Sequence, residues 1–130
     1  MHKKFLLIGS ILGALAVGIG AFGAHGLKQY VDGETLNIFE TGVRYQFYHV
    51  FALLAVGILY EKFSVKWLRY AGNCFIAGII LFSGSLYAMV AGRAADMNLD
   101  RIGIITPFGG VLLIAGWLLL FWGLRKGQAG

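Results

Sequence analysis

Charge is scarce in this sequence. Only 13% of its 130 residues are Asp, Glu, Lys or Arg, against roughly 25% in a soluble domain. So small a supply cannot coat a sphere of this size, which excludes an ordinary soluble fold. The 58% hydrophobic content excludes a disordered chain as well. Cysteine is nearly missing: Cys74 stands alone, so neither an intrachain disulfide nor a CxxC metal or redox motif can form. Basic runs are never longer than two residues despite a formal net charge of +5. With no RNA-binding signature either, nucleic acid is excluded as a partner. Low-complexity tracts, internal repeats and a domain boundary are also lacking. The class that remains is an integral membrane protein, read as one transmembrane domain over residues 1–130.

What is present in quantity is apolar run and glycine. Four stretches are long and apolar, at about 5–26, 41–60, 70–92 and 102–124. Crossing hydrocarbon takes about 20 apolar residues in a helix, which satisfies its own backbone there. The fold class is therefore all-α: a polytopic four-transmembrane-helix bundle with the lipid bilayer as solvent. The second stretch is short, but Leu36, Phe39, Val43, Phe47 and Val50 follow a 3-4-4-3 spacing on one helical face. That spacing predicts a helix from about Thr35 to Tyr60, capped by Asp32 or Thr35. The first stretch has a signal-like basic start, His2-Lys3-Lys4, and an Ala14-Leu15-Ala16 sequence like a cleavage site. Its apolar run exceeds a signal's usual core, so it is expected to stay as a span.

Lys3, Lys4, Lys62, Lys66, Arg69, Arg125 and Lys126 fall on one side of the spans, outnumbering Lys28, Arg44, Arg93 and Arg101 on the other. This bias predicts both termini in the cytoplasm. Trp67, Trp122, Tyr60 and Tyr70 then form an aromatic belt at the inner boundary.

Glycine supplies 20 residues, about twice its usual share of roughly 7%. Gly9, Gly13, Ala16, Gly20 and Gly23 are spaced 4-3-4-3, which draws a small-residue seam along the first helix. Such seams let helix backbones approach closely in lipid. Two uses fit: packing against another span of the same chain, which is favoured, or a homo-oligomer interface.

Polar groups gather toward the outer side. Counting depth at about 1.5 Å per residue, His25, Tyr45, Gln46, His49, Ser83, Ser85, Tyr87 and Thr106 fall near a common level. Gln46 and His49 are i, i+3 on one face, and Glu40 and Arg44 are spaced for an ion pair. Ionisable groups at membrane depth are costly and face the bundle interior or water. For His49 the plain reading is a hydrogen-bonded residue joining helices; the sharper one is a proton relay or ligand contact. Thr106 and Pro107 suit N-cap and first turn of the last helix. Gly109 and Gly110 would leave that helix start open to an anionic headgroup.

Other chemistries fit less well. Ser83-Gly84-Ser85 evokes a serine hydrolase, yet no acidic residue lies at that depth to orient a base. His25 and His49 could ligate a haem, but His25 sits near water. A zinc site would need more ligands than are visible. A proton-coupled exporter would want a carboxylate inside a span, and none is there. No cofactor or metal is therefore expected.

Four segments taken in order resemble a known family. They are Gly20-Ala21-Phe22-Gly23-Ala24-His25-Gly26-Leu27; Glu40-Thr41-Gly42 with Tyr45-Gln46 and His49; Phe82-Ser83-Gly84-Ser85-Leu86-Tyr87; and Thr106-Pro107-Phe108-Gly109-Gly110 with Gly116-Trp117. The chain resembles the YgdD/YwdK family of small four-span membrane proteins over almost its whole length. The resemblance implies a bacterial cytoplasmic (inner) membrane location, four helices and internal termini; it brings no reaction. The expectation is a non-enzymatic structural or binding module whose outer polar site takes a lipid headgroup, a quinone-like molecule or a partner helix. A proton-linked or small-solute transporter using His49 is the alternative.

Overall fold

The computed structural model describes residues 1–127; the last three residues of the single predicted unit lie outside them. Four long helices account for nearly all of it: α1 (Lys3–His25), α2 (Gly33–Leu59), α3 (Val65–Ala94) and α4 (Thr106–Arg125). All four are long and apolar enough to cross a membrane. Short 3-10 turns at Leu27–Gln29 and Asp100–Ile104 precede α2 and α4. The last span accordingly begins as an α-helix at Thr106 rather than near 102, because residues 100–104 wind more tightly first.

Local signals set the helix ends. At the start of α2 the Asp32 carboxylate accepts the Thr35 N–H at 2.8 Å, so Asp32 is the cap and Thr35 is its partner. Hydrogen bonds from the Thr35 side chain and then its backbone hold the Asp32 carboxyl below the usual carboxylate range. A depressed value means that the cap is at full strength above the unfolded pKa, about 3.9, and is lost as pH falls through the folded one. Amide exchange in the first turn of α2 should therefore quicken only in acid below about pH 4. It should be quick at all pH in Asp32→Ala; slow exchange in that variant would show that the carboxylate does not hold the turn. At the far end of α3, Asp96 takes a left-handed conformation (φ 56°). Met97 N–H then reaches back to the Gly92 carbonyl at 2.7 Å, closing the helix as a Schellman turn.

Packing follows chain order. α1 lies on α2, α2 on α3 and α3 on α4, with the first and last helices flanking a central α2–α3 pair. Those flanking helices are correspondingly the less buried. The predicted small-residue seam lies against α2: Gly9 faces Leu54, Gly13 faces Val50, Gly20 faces Val43 and Gly23 faces the Phe39 ring. Ala16 is fully buried. Each of the four glycines of the seam thus faces a side chain of α2. The α3–α4 contact is closer still. Gly78 receives Leu113, Gly116 receives Phe75, Gly123 receives Leu68, and Gly109 lies directly on the backbone of Phe82. Without a hydrophobic drive between helices in lipid, such close fit supplies the association energy.

Two apolar clusters form the core. One holds Phe5, Leu53, Val56, Leu68, Phe75, Ile79, Leu113 and Leu120 toward the end bearing both termini. The other holds Leu27, Phe39 and Val90 toward the opposite end. Gln46, His49, Ser83 and Ser85 are buried in the stretch between them.

Candidate functional site

The polar residues between the clusters form interhelical ties. Gln46, 3% exposed, donates through Nε2 to the Leu12 carbonyl of α1 at 2.8 Å. Its Oε1 accepts the Tyr87 hydroxyl of α3 at 2.7 Å. Ser83 donates to the Gly42 carbonyl of α2 at 2.7 Å. Ser85 donates to the Phe82 carbonyl and also meets the Thr106 hydroxyl. Since the Ser85 proton is committed to Phe82, Thr106 is the donor between α4 and α3. Among the described residues no buried side-chain nitrogen or oxygen lacks a partner.

His49 makes the longest-range tie. The Trp117 indole N–H of α4 lies 3.0 Å from Nε2, and Nδ1 lies 2.7 Å from the Tyr45 carbonyl. Indole only donates and a carbonyl only accepts. The proton must therefore sit on Nδ1, Nε2 must be bare, and the imidazole is neutral. Protonating the ring would break the Trp117 bond. The ring also packs edge-on to Trp117, at 5.8 Å between centroids, and against Phe75 at 5.7 Å.

The structure thus brings together Gln46, Tyr87 and Ser83 as one group, Ser85 and Thr106 as another, and His49 with the backbone of Tyr45. His25 joins none of them: it is exposed at the end of α1, and its carbonyl accepts from Gln29. The groups also depart from a common level. Trp117 lies eleven residues below Thr106 along α4, about 16 Å at the helical rise. The polar set descends from the start of α4 to the middle of the bundle. Thr106 is not a cap, since it lies within the first turn and bonds Ser85 instead. Glu40 and Arg44 make no ion pair; Arg44 reaches the Thr41 hydroxyl at 3.2 Å. Gly109 admits the α3 backbone rather than a headgroup. The Ser83 and Ser85 hydroxyls are bonded to carbonyls and to Thr106, with no histidine at either.

Beside His49 lies a cleft of about 490 Å³, bounded by Tyr45 and Tyr48 of α2, Phe82 of α3, and Gly110, Leu113, Ile114 and Trp117 of α4. It opens because α4 packs chiefly on α3 rather than on α2, to which the His49–Trp117 bond ties it. Tyr45 packs on Phe82 at 4.7 Å and on Tyr48 at 5.7 Å. Tyr45 and Tyr48 were legible as an i, i+3 pair, and Gly110, Ile114 and Trp117 as one stripe. Only their meeting required the structure. A second point beyond the sequence reading is Arg93. It grips Asp100 through Nε and Nη2, both at 3.2 Å, and the Thr35 hydroxyl at 3.0 Å. That clamp ties the end of α3 to the first turn of α2 and to the 3-10 turn before α4.

Comparison with known proteins gives a consistent answer. The profile of the family described as "Protein of unknown function (DUF423)" matches residues 19–110. The chain is 42% identical to the UPF0382 membrane protein SAB0533 of Staphylococcus aureus (strain bovine RF122 / ET3-1), over 91% of this chain and 92% of that protein. It is 41% identical to the UPF0382 membrane protein YwdK of Bacillus subtilis (strain 168), over 91% and 93%. A UPF0382 membrane protein of Haemophilus influenzae is 37% identical over 99% of both chains. No solved structure matches. With its four spanning helices and these relatives, the chain is a member of the DUF423 family of membrane proteins.

Proposed function

We propose that the protein is a non-enzymatic binding module of the bacterial inner membrane, taking up a small lipid-soluble molecule in the cleft between α2 and α4. The observation that carries this reading is the cleft itself. Its volume of about 490 Å³ falls within the roughly 300–1,000 Å³ of small-molecule sites. Its walls are aromatic and aliphatic, and its floor is the fixed His49–Trp117 pair. A molecule entering sideways from the bilayer would meet a preformed surface. Both termini face the cytoplasm in this reading, with the basic and Trp-bearing end inward. Lys66 over Trp67 and Lys126 over Trp122, at 5.2 and 5.1 Å, suit that boundary.

The transporter alternative fares worse. A proton relay through His49 would have to break the Trp117 bond at every cycle. The apolar cluster around Phe5, Leu68 and Phe75 also lies between the histidine and the inner end. Native mass spectrometry from mild detergent tests the proposal. A discrete retained mass, absent when Gly110→Leu fills the cleft, is expected. A bare protein before and after lipid extract is supplied would overturn it, and His49-dependent proton flux in liposomes would favour the alternative.

A further inference from the structure

Resting on that reading, we infer that the cleft selects a neutral ring bearing hydrogen-bond-accepting oxygen, of the quinone class, held by the Tyr45 and Tyr48 hydroxyls. The polar groups at this face are not equally available. The Trp117 N–H is committed to His49, and both ring nitrogens of His49 are occupied. Gln46, Tyr87, Ser83, Ser85 and Thr106 are bonded to one another or to carbonyls. The hydroxyls of Tyr45 and Tyr48 alone on the cleft wall have no partner among the described residues. Their side chains are 39% and 53% exposed.

A phenol hydroxyl without a partner in hydrocarbon is costly, so whatever occupies the cleft gains by accepting from it. A charged ligand is disfavoured because no ionised side chain lines the wall. The walls add shape selection. Phe82 and Tyr45 on one side and Trp117 on the other present ring faces and edges suited to a flat ring. Gly110 keeps the α4 wall low between them. Ile114 and Leu113 continue it as aliphatic surface on which a ring's alkyl tail can lie. A phospholipid headgroup carries charges that this uncharged wall cannot pair, and a bare acyl chain leaves both hydroxyls unpaired.

The test uses the protein in detergent with Trp67→Phe and Trp122→Phe, so that Trp117 is the sole indole. The probes are menadione and its hydrocarbon counterpart, methylnaphthalene. Menadione is expected to quench Trp117 saturably and to bind more tightly than methylnaphthalene. Tyr45→Phe with Tyr48→Phe should weaken menadione by on the order of tenfold, the equivalent of about 1.4 kcal/mol, and leave methylnaphthalene unchanged. The two substitutions remove no hydrogen bond made by the described residues and keep the ring contacts, so melting should not fall. Equal binding of both probes, or menadione binding indifferent to the phenylalanines, would overturn the inference while leaving the cleft as a binding site. No saturable binding of either probe would remove the underlying reading as well.

Discussion

Alanine at Gly109 is expected to cost this protein most of its folded yield, although it adds one methyl group. A Cβ there would fall on the backbone nitrogen and Cα of Phe82 and on the carbonyl carbon of Leu81. Most other tight glycines meet the ends of side chains, such as Leu54 at Gly9 or Leu6 at Gly57, which can rotate aside. A helix backbone cannot. The whole of α4 would have to move off α3, losing the fit of Leu113 into Gly78 and of Phe75 against Gly116. Overpacking costs about 1–3 kcal/mol where neighbours can adjust, and occasionally more. Here the upper end applies, against a total stability of about 5–15 kcal/mol. Gly84→Ala is the matched control. Nothing lies within 4 Å of its Cβ, so the substitution should be neutral or raise stability by up to about 1 kcal/mol from helix propensity. Thermal melting of both variants in one detergent decides the matter. If Gly109→Ala melts with the parent, α4 does not lie against the Phe82 backbone.

The second large effect is expected at Gln46. Its side chain joins three helices at once, through the Leu12 carbonyl and the Tyr87 hydroxyl. Gln46→Leu fills the same space but strands the Tyr87 hydroxyl, which is half-buried. Interhelical hydrogen bonds in membranes average about 0.6 kcal/mol, with a maximum near 1.7. An unpaired buried donor adds about 1–3 kcal/mol. A loss of about 2 kcal/mol is therefore expected for Gln46→Leu. Adding Tyr87→Phe should recover much of it, since removing both partners costs less than orphaning one. Leu12 is less affected, because its carbonyl also accepts within α1. Strict additivity of the two substitutions in melting or denaturant titration would mean that the pair does not couple. By the same arithmetic the Ser85–Thr106 contact matters less, since each hydroxyl can turn to a nearby carbonyl.

These two sites show where sequence reading reaches and where it stops. The four helices are legible because hydrocarbon imposes a length and a composition that no other segment meets. The early start of α2 is legible from Leu36, Phe39 and Val43 together with Asp32. The seam from Gly9 to Gly23 is legible because a helix has a fixed period. Its partner helix is not, since α2 presents Leu54, Val50, Val43 and Phe39, which look like any lipid-facing apolar set. His49 was legible as a costly polar group. Trp117 is 68 residues away and lies in a stretch whose tryptophans read as interface or packing residues. The assumption of one polar level failed because residue counting fixes position along a helix and not the offset between helices. Thr106 and Gly109 misled for a related reason. Each has a good local role at a helix start, and a neighbouring helix claims it instead.

The ties described above also bear on how the chain assembles as it leaves the ribosome. Gln46 seeks Leu12, Ser83 seeks Gly42, and Thr106 seeks Ser85. Each newly inserted helix therefore finds its acceptor on the helix delivered just before it, already waiting in the bilayer. Two acceptors must wait: Gln46 Oε1 for Tyr87 of α3, and the bare nitrogen of His49, longer, for Trp117 of α4. Among the described residues, insertion of the last helix thus closes the one side-chain bond that skips a neighbour, and with it the wall of the cleft. A chain stalled before α4 would leave the bare nitrogen of His49 without a donor beside lipid.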